Sequence, residues 1–521
     1  MIKEESRTKK SILNIGSNFS VYMIKVILSF IVRTIFIKVL GETYLGVNGL
    51  LTNILSMLSL AELGIGTAIN FSLYKPLAEK NKDEISALMS FYKKVYMIIG
   101  LIVAILGIIL FFFLGQIIKD ASSIKNLDII YILYLFNMVS TYFISYKETL
   151  INADQKAYRL VRINFLCTTL LYILEIMVLL IFRNFIIYLI TQFLVMFSQK
   201  AIVNRFITKT YKEIDFVSKN KIPSKVLDQI KVNIKAMIFH KVGDYCVNST
   251  DNIIISRFIG LGVVGIYSNY QILLSIIQTF VNMVYTGIIA SLGNLVATET
   301  KGRKKEAIEK LDFIGFLIYS TLVIVMLYAM NPFIKVWIGD EYILPMSTVK
   351  LILVNFYLTG MRVPMGTIKG AAGLYKQDKY TPIIQSIINI VVSIVLVVRI
   401  GLNGVLIGTV ISGILPSLQR PYIVYKYLLG EKNIKKYYVD YLKYLLVMLI
   451  SIISIFSINK FIVVLNGFIY LIIIVIISVV IHLGIILIFY RKTKEFKYLL
   501  EIIKKIFIKI KTEVKNKWKK D

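Results

Sequence analysis

The chain has 521 residues, 57% of them hydrophobic, and its mean hydropathy is +0.74. A water-soluble protein of this length has no interior large enough for so much apolar surface, so the composition predicts a polytopic membrane protein. The net charge of +31 resembles that of a nucleic-acid-binding protein, but the basic residues lie in short stretches between apolar runs. That arrangement is typical of membrane topology, and it excludes nucleic acid as the expected partner.

Fourteen apolar segments approach the roughly 20 residues that a spanning helix needs. In chain order they cover about 12–40, 45–71, 92–114, 127–151, 160–182, 185–207, 233–258, 262–290, 312–334, 347–371, 381–399, 402–424, 441–458 and 464–490. The N-terminus has no cleavage site, so we expect a retained first helix. With that end inside, most of the 61 Lys and Arg residues fall in cytoplasmic loops and tails, as the positive-inside rule requires. We therefore predict an all-α protein of fourteen transmembrane helices with both termini cytoplasmic.

A glycine pattern suggests an internal repeat. Leu-Gly41 followed by Gly46 recurs as Ile-Gly260 followed by Gly265, and one offset relates both pairs. This predicts two six-helix lobes, a parallel repeat about an axis along the membrane normal, although a third near-copy at Gly401 leaves a chance origin open. The predicted parts are an N-lobe with a basic linker (1–232), a C-lobe (233–430), two extra helices (431–490) and a basic amphipathic tail suited to an anionic leaflet (491–521).

Four basic residues lie well inside apolar segments: Lys25, Arg33, Lys241 and Arg362. Charge at membrane depth is costly and usually serves a substrate or ion pathway. A guanidinium stays charged and forms a fork suited to phosphate oxygens. Three of the four have no acid within one helical turn, so we predict a cationic cavity with Lys25, Arg33 and Arg362 as candidate substrate-binding residues.

Acidic residues within apolar segments suggest a second role. Glu62, Asp244 and Asp251, with Lys241, are candidates for ion coupling or for a polar lobe interface. Other interpretations stay open, because Lys241 and Asp244 are close enough on a helix to neutralise each other and Glu62 has the character of a paired structural acid. No metal-ligand spacing is present, so we expect no metal and no other cofactor. The two cysteines lie in apolar segments, so we expect no disulfide framework.

Two stretches resemble a known family. Residues 33–69, with Leu-Ser-Leu-Ala-Glu62-Leu-Gly64, resemble the start of bacterial polysaccharide flippases of the multidrug/oligosaccharidyl-lipid/polysaccharide exporter superfamily. Asp251-Asn-Ile-Ile-Ile-Ser-Arg-Phe-Ile-Gly260, with Val-Gly265-Ile-Tyr-Ser268, resembles the start of that family's second lobe. The resemblance implies two lobes around a V-shaped cavity that opens alternately to either side. It also implies a cationic interior that binds the pyrophosphate and acidic sugars of an undecaprenyl-linked oligosaccharide.

These patterns favour a flippase that moves undecaprenyl-diphosphate-linked oligosaccharide across a bacterial cell membrane by alternating access, for capsule or other surface polysaccharide. A lipid II flippase and a multidrug exporter are the alternatives within the superfamily; the exporter would favour cavity acids for organic cations. A polysaccharide polymerase or ligase is the enzymatic alternative. The longest predicted outer loops, 115–126 and 335–346, are only about a dozen residues each and hardly supply a catalytic pocket, so we expect no enzyme.

The expected partners follow from the same patterns. They are the lipid-linked oligosaccharide, membrane lipids, and a polysaccharide polymerase with other assembly proteins, around a chain that acts as a monomer. No phosphate-binding loop of the type G-x-x-x-x-G-K-[ST] is present, so we expect no ATP hydrolysis by this chain.

The charge distribution gives a topology that labelling tests. In a cysteine-free background, Ser122→Cys is expected to react with a membrane-impermeant maleimide added outside intact cells, because Ser122 lies in a predicted outer loop. Ser218→Cys, in the predicted cytoplasmic linker, is expected to react only after the membrane is opened. If Ser218→Cys is labelled in intact cells and Ser122→Cys is not, the predicted topology is wrong.

Overall fold

A computed structural model describes residues 7–62, 65–119, 121–154, 156–218, 249–374, 376–462 and 467–501, with isolated positions at 222–231 and at 504. Regular secondary structure within these residues is entirely helical. Ten of the described helices are long and apolar enough to cross a membrane, by length and composition. The chain is therefore a multi-pass helical membrane protein. The total of fourteen spans stays a prediction, because most of the seventh predicted segment lies outside the described residues.

The longer helices are labelled here in chain order. They are α1 (Arg7–Leu58), α2 (Ile65–Glu79), α3 (Lys82–Phe111), α4 (Leu127–Ile144), α5 (Val161–Phe182), α6 (Phe185–Thr210), α7 (Leu261–Thr298), α8 (Lys301–Ile338), α9 (Met346–Ala371), α10 (Thr381–Ile400), α11 (Leu402–Ile423), α12 (Lys435–Ile462) and α13 (Phe468–Tyr490). Residues 249–258 are also helical and precede α7. A short helix, Glu148–Ala153, follows α4.

The described chain divides into two compact units. The first consists of Met1–Asn269 with Pro382–Ser386 and Val397–Val405, and the second of Tyr270–Thr381, Ile387–Leu396 and Leu406–Asp521. The predicted lobe boundary at residue 232 lies outside the described residues. The division into a 1–232 lobe, a 233–430 lobe, extra helices and a tail therefore stays a prediction.

In the first unit, α1 packs on α5, α3 on α4, and α5 on α6. The interior is a cluster of buried apolar and aromatic side chains that includes Leu88, Met89, Tyr92 and Val103 on α3. Gly107 on α3 lies against the side chain of Leu135 on α4, so a larger residue there would separate the two helices. Packing of this kind is the main attraction between helices in a bilayer, where lipid tails remove the hydrophobic driving force.

In the second unit, α8 is central because it packs against α9, α12 and α13. The ring of Phe316 on α8 stacks on Tyr444 of α12, with centroids 4.2 Å apart. The fully buried ring of His482 on α13 contacts a serine hydroxyl on each side, 2.8 Å from Ser320 of α8 and 2.8 Å from Ser451 of α12. These polar contacts fix the predicted extra helices, α12 and α13, to the second unit.

The start of the predicted C-terminal tail packs on the same helix. Phe496 is buried, and its ring lies 6.4 Å from that of Phe313 on α8. Lys310 of α8 lies 4.0 Å from the ring centroid of Tyr498, a cation–π contact. The predicted membrane-surface role of the tail beyond this point falls outside the described residues.

Two predicted spans end earlier than their apolar runs suggested. The predicted second span, 45–71, is wrong as one continuous helix: α1 ends at Leu58, a 3₁₀ turn covers Ser59–Glu62, and α2 begins at Ile65. Ser56 and Ser59 donate back to backbone carbonyls three residues earlier, which competes with regular helical bonding. The predicted fourth span, 127–151, likewise ends early, because α4 ends at Ile144.

The paired glycines make a reciprocal contact within the first unit. Gly41 interrupts α1 with φ 82° and ψ 177°, and Gly260 precedes α7 with φ 140°. A Cβ added to Gly46 would overlap the carbonyl oxygen of Leu261, and one added to Gly265 would overlap that of Glu42. The predicted repeat pairs residue 42 with 261 and residue 46 with 265, so each contact is the repeat's image of the other. Such an exchange of equivalent contacts is what a two-fold repeat predicts, and the repeat itself stays a prediction.

Alanine at these glycines is expected to destabilise the protein. Gly265→Ala places a methyl group against backbone atoms that cannot rotate away, and overpacking of this kind costs about 1–3 kcal/mol. The measurement is the thermal unfolding midpoint of the purified full chain in detergent. Gly413→Ala in α11 is the matched control, because nothing lies within 4 Å of a Cβ there. Equal unfolding midpoints for Gly265→Ala and Gly413→Ala would contradict the close backbone contact at Gly265.

Candidate functional site

Arg33 is held by two side chains from a distant part of the sequence. Its Nε donates to Oδ1 of Asn269 at 2.8 Å, and its Nη2 donates to Oγ of Ser268 at 2.5 Å. Ser268 donates its own hydrogen to the carbonyl of Gly265 at 2.7 Å, which leaves its oxygen free to accept from the guanidinium. The first turns of α7 thus hold the predicted basic residue of α1 in a fixed orientation.

This clamp leaves hydrogen-bond donors unused. Asn269 is completely buried, and its Nδ2 has no hydrogen-bond partner in the described structure. If the Asn269 side-chain amide were turned over, its Nδ2 would face the Nε donor of Arg33. The orientation with Oδ1 toward the guanidinium is therefore the favourable one, and Nδ2 is the atom without a partner. Within the described part of the chain, the hydrogen bonds of Arg33 leave its Nη1 unused. Unpaired buried donors call for an acceptor such as water or an anionic ligand.

A polar network extends from this point into α5 and α6. Tyr188 of α6 lies within electrostatic reach of Arg33, and its ring contacts Phe36 of α1 at 5.3 Å. The Tyr188 hydroxyl is hydrogen-bonded to Glu175 of α5, which also accepts from Nε2 of Gln192 at 3.4 Å. Glu175 is 2% exposed. It is a paired buried acid, one of the two interpretations that the sequence left open for acids of this kind.

Lys25 lies two turns before Arg33 on α1, which is about 12 Å along a helix axis. It is partly exposed and makes no hydrogen bond or ion pair with the described part of the chain. Its side chain therefore remains available to a ligand, unlike the clamped part of Arg33. Lys38, on the same helix, is exposed.

Glu62 is part of a separate aromatic and hydroxyl cluster. It accepts a hydrogen bond from the phenol of Tyr96, and that ring lies 4.3 Å from the ring of Tyr92. Thr149 donates to the Tyr92 hydroxyl at 3.1 Å. Gly66 makes room for the cluster, since a Cβ there would lie 2.7 Å from Glu62 Oε1. The predicted coupling role of Glu62 is untested, and its hydrogen-bond donor, Tyr96, lies on α3.

The second unit carries the other predicted arginine. Arg362 bonds within α9, from Nε to the carbonyl of Leu358 at 3.2 Å and from Nη2 to Oγ1 of Thr359 at 2.7 Å. The helix continues through Pro364, two residues later. Arg420 of α11 reaches the same helix one turn farther along, because its Nη1 would lie 3.5 Å from a Cβ on Gly366. The predicted span 402–424 contains Arg420 near its end, but the sequence analysis did not count it among the deep basic residues and so missed it as a neighbour of Arg362.

The acidic candidates near the start of the predicted second lobe are only partly described. Asp251 lies in the helical stretch 249–258, is partly buried and has polar interactions there. Ser249 in the same stretch contacts Ser56 of α1 through their hydroxyl oxygens at 3.2 Å. Lys241 and Asp244 lie outside the described residues, so their predicted roles stay predictions.

Comparison with known proteins identifies the family. Residues 11–290 match the family described as "Polysaccharide biosynthesis protein". The chain belongs to this polysaccharide biosynthesis protein family. The match covers more than half of the sequence and contains both Arg33 and its partners Ser268 and Asn269. No curated protein sequence matches the chain.

Solved structures agree on the fold. The polysaccharide biosynthesis chain is similar to the lipid II flippase MurJ in an inward closed conformation, with a TM-score of 0.63, 16% identity, and coverage of 92% of this chain and 99% of that one. It is also similar to an inward-facing MATE family multidrug transporter of the MOP superfamily, with a TM-score of 0.61, 13% identity, and coverage of 77% and 96%. A MOP superfamily transporter from Pyrococcus furiosus matches with a TM-score of 0.51, 14% identity, and coverage of 81% and 97%.

The fold of the chain is therefore similar to that of these flippase and transporter structures. At 13–16% identity they establish the fold alone. One fold in such a superfamily carries different cargoes, so the substrate has to be argued from the residues of this chain.

The clamp of Arg33 predicts a stability effect that can be measured separately from function. Arg33→Ala is expected to lower the thermal unfolding midpoint, because Asn269 then keeps a buried amide without its guanidinium partner, at a cost of about 1–3 kcal/mol. Arg33→Lys is expected to fall between the alanine variant and the wild type, since an ammonium cannot reproduce the two-pronged geometry. Lys38→Ala is the matched control on α1. A midpoint for Arg33→Ala equal to that of Lys38→Ala would contradict the clamp.

Proposed function

We propose that this chain is a flippase that moves a polyprenyl-diphosphate-linked oligosaccharide across the cell membrane of a bacterium for surface polysaccharide assembly. The family match supports a role in polysaccharide biosynthesis, and the similarity to flippase and transporter folds supports lipid-linked cargo. In this proposal the polyprenyl chain stays in the bilayer while the charged head crosses by alternating access. Both termini are cytoplasmic, and two six-helix lobes carry the alternation.

The observation that carries this proposal is the arginine clamp within an apolar helix. A permanent positive charge is held rigidly by Ser268 and Asn269, with donors of Arg33 and Asn269 left unused. A diphosphate offers several acceptor oxygens, and charge-assisted bonds to a guanidinium are among the strongest in proteins. Lys25, two turns away and unpaired within the described chain, supplies a second cation for the same head group.

Arg362 is assigned the corresponding role in the second unit. Its guanidinium is oriented by Leu358 and Thr359 of its own helix, and Arg420 reaches the next turn of α9. An arginine held by its own helix keeps its direction when the ligand leaves, which favours repeated binding and release. Glu62, in its tyrosine cluster, is proposed to couple a cation gradient to this cycle, together with Asp251.

The lipid II flippase is the second candidate, and the extent of the structural match to MurJ favours it over a multidrug exporter. Both flippase proposals involve a polyprenyl diphosphate and differ in the sugar. The residues described here act on the shared diphosphate, so they do not separate the two cargoes.

A transport assay tests the proposal. The purified chain is reconstituted in vesicles with a fluorescent polyprenyl-diphosphate oligosaccharide, and a membrane-impermeant quencher reports how much label has crossed. Arg33→Ala and Arg362→Ala are expected to reduce the crossing rate at least about tenfold, because each removes a charged hydrogen-bond donor worth about 1.5–3 kcal/mol. Lys38→Ala is expected to transport like the wild type.

Two results would overturn the assignment. If both arginine variants transport at the wild-type rate and are folded to the same extent as the wild type, Arg33 and Arg362 do not belong to the substrate-binding site. Equal crossing of a polyprenyl-linked sugar that lacks the diphosphate would show that the phosphate groups are not recognised.

A further inference from the structure

The second unit contains an aromatic cavity with no arginine in its wall. It has a volume of about 240 Å³ and lies where the charged ends of α8 and α12 meet the segment that follows α13. Five aromatic rings contribute to its wall: Phe313, Tyr425, Tyr437, Tyr444 and Tyr490. A water molecule occupies about 30 Å³ of liquid, so the cavity has room for a small organic molecule and exceeds the size of a bare metal ion.

The charges around this cavity do not balance. The three lysines in its wall each have an acidic partner within 2.8 Å: Lys305 with Glu431, Lys436 with Glu309, and Lys443 with Asp440. Two further wall acids, Asp312 and Glu495, have no ion pair with any basic residue that the structure describes. The cavity therefore has an excess of negative charge in a chain whose net charge is +31.

Asp312 is the innermost of these acids. It is 4% exposed, and the hydrogen bond that it accepts within the described residues, from the hydroxyl of Tyr437, is long at 3.5 Å. The hydroxyl oxygens of Tyr357 and Tyr441 are within electrostatic reach of Asp312 but outside the cavity wall, and they are buried with no hydrogen-bond partner in the described structure. A buried carboxylate with so little compensation is costly, so a ligand or water that bonds to Asp312 would complete the site.

We propose that this cavity binds an organic cation through a primary ammonium group, with Asp312 as the anionic contact and the aromatic rings around the adjoining methylene groups. An ammonium offers three donors, which match a carboxylate and nearby phenol oxygens. Aromatic faces attract cations by their quadrupole, most strongly where water is excluded. No group of three or more acidic, histidine or cysteine side chains in the described part of the chain could hold a metal ion, so the organic cation is the better match.

Two sources carry this chemistry, a free diamine and the ammonium of an ethanolamine lipid head group. Both can reach the cavity, because the charged ends of α8 and α12 adjoin it. The proposal does not depend on the polysaccharide cargo, since none of the residues involved belongs to the arginine sites.

Calorimetry on the purified full chain tests the proposal, with putrescine as the free diamine and butane-1,4-diol as its uncharged counterpart. Putrescine is expected to bind and the diol is not. Asp312→Asn is expected to weaken the binding of putrescine at least about tenfold, because the substitution removes a charged acceptor without changing the side-chain shape. Glu495→Gln, nearer the tail, is a second variant with a smaller expected loss. Asp340→Asn, at the far end of α8 and already paired with Lys335, is the control and is expected to leave binding unchanged.

A lipid arm separates the two sources. The wild type and Asp312→Asn are purified in nanodiscs containing equal amounts of phosphatidylethanolamine and phosphatidylglycerol, and the tightly retained lipid is measured by native mass spectrometry. Asp312-dependent binding of putrescine supports a free amine, and Asp312-dependent retention of phosphatidylethanolamine without putrescine binding supports the head group. If neither depends on Asp312 or Glu495, the proposal is overturned.

Discussion

A guanidinium inside an apolar helix must find its partners in the protein, because it does not lose its proton and the bilayer offers no water. Arg33 meets this requirement through Ser268 and Asn269, more than two hundred residues away in the sequence. The contact ties α1 to the start of α7. It also orients the charge, since two side chains hold one edge of the guanidinium and leave other donors unused.

The close approach of the same two helices depends on glycine. Gly46 and Gly265 bring the backbone of one helical segment against that of the other, and each meets the equivalent of the other's contact. The first turns of α7 that make this approach also carry Ser268 and Asn269, the partners of Arg33. The glycine contact and the arginine clamp are therefore parts of one junction, in which small residues set the distance and a charged residue sets the orientation.

The sequence predicted the helices well because apolar length and flanking charge act locally. The ends of α5, α10, α11 and α13 lie within a few residues of the predicted segments. The break after Leu58 was missed, because serine side chains that bond to the backbone hardly change the mean hydropathy of an apolar segment. Partners across helices were also beyond reach: Arg33 was predicted as a deep cation, but neither Asn269 nor Tyr188 carries a local signal that links it to Arg33. Arg420 was missed for a similar reason, since its neighbour Gly366 lies on another helix.

In the proposed function, the clamped Arg33 binds the diphosphate of a lipid-linked oligosaccharide. The most direct test of this role is mass spectrometry of the lipids that remain bound when the chain is purified in native membrane discs. We expect a polyprenyl-diphosphate oligosaccharide to remain bound to the wild type and to Lys38→Ala, and to be lost from Arg33→Ala. A wild-type protein that carries no polyprenyl lipid, under conditions where its other lipids are retained, would contradict the proposed function.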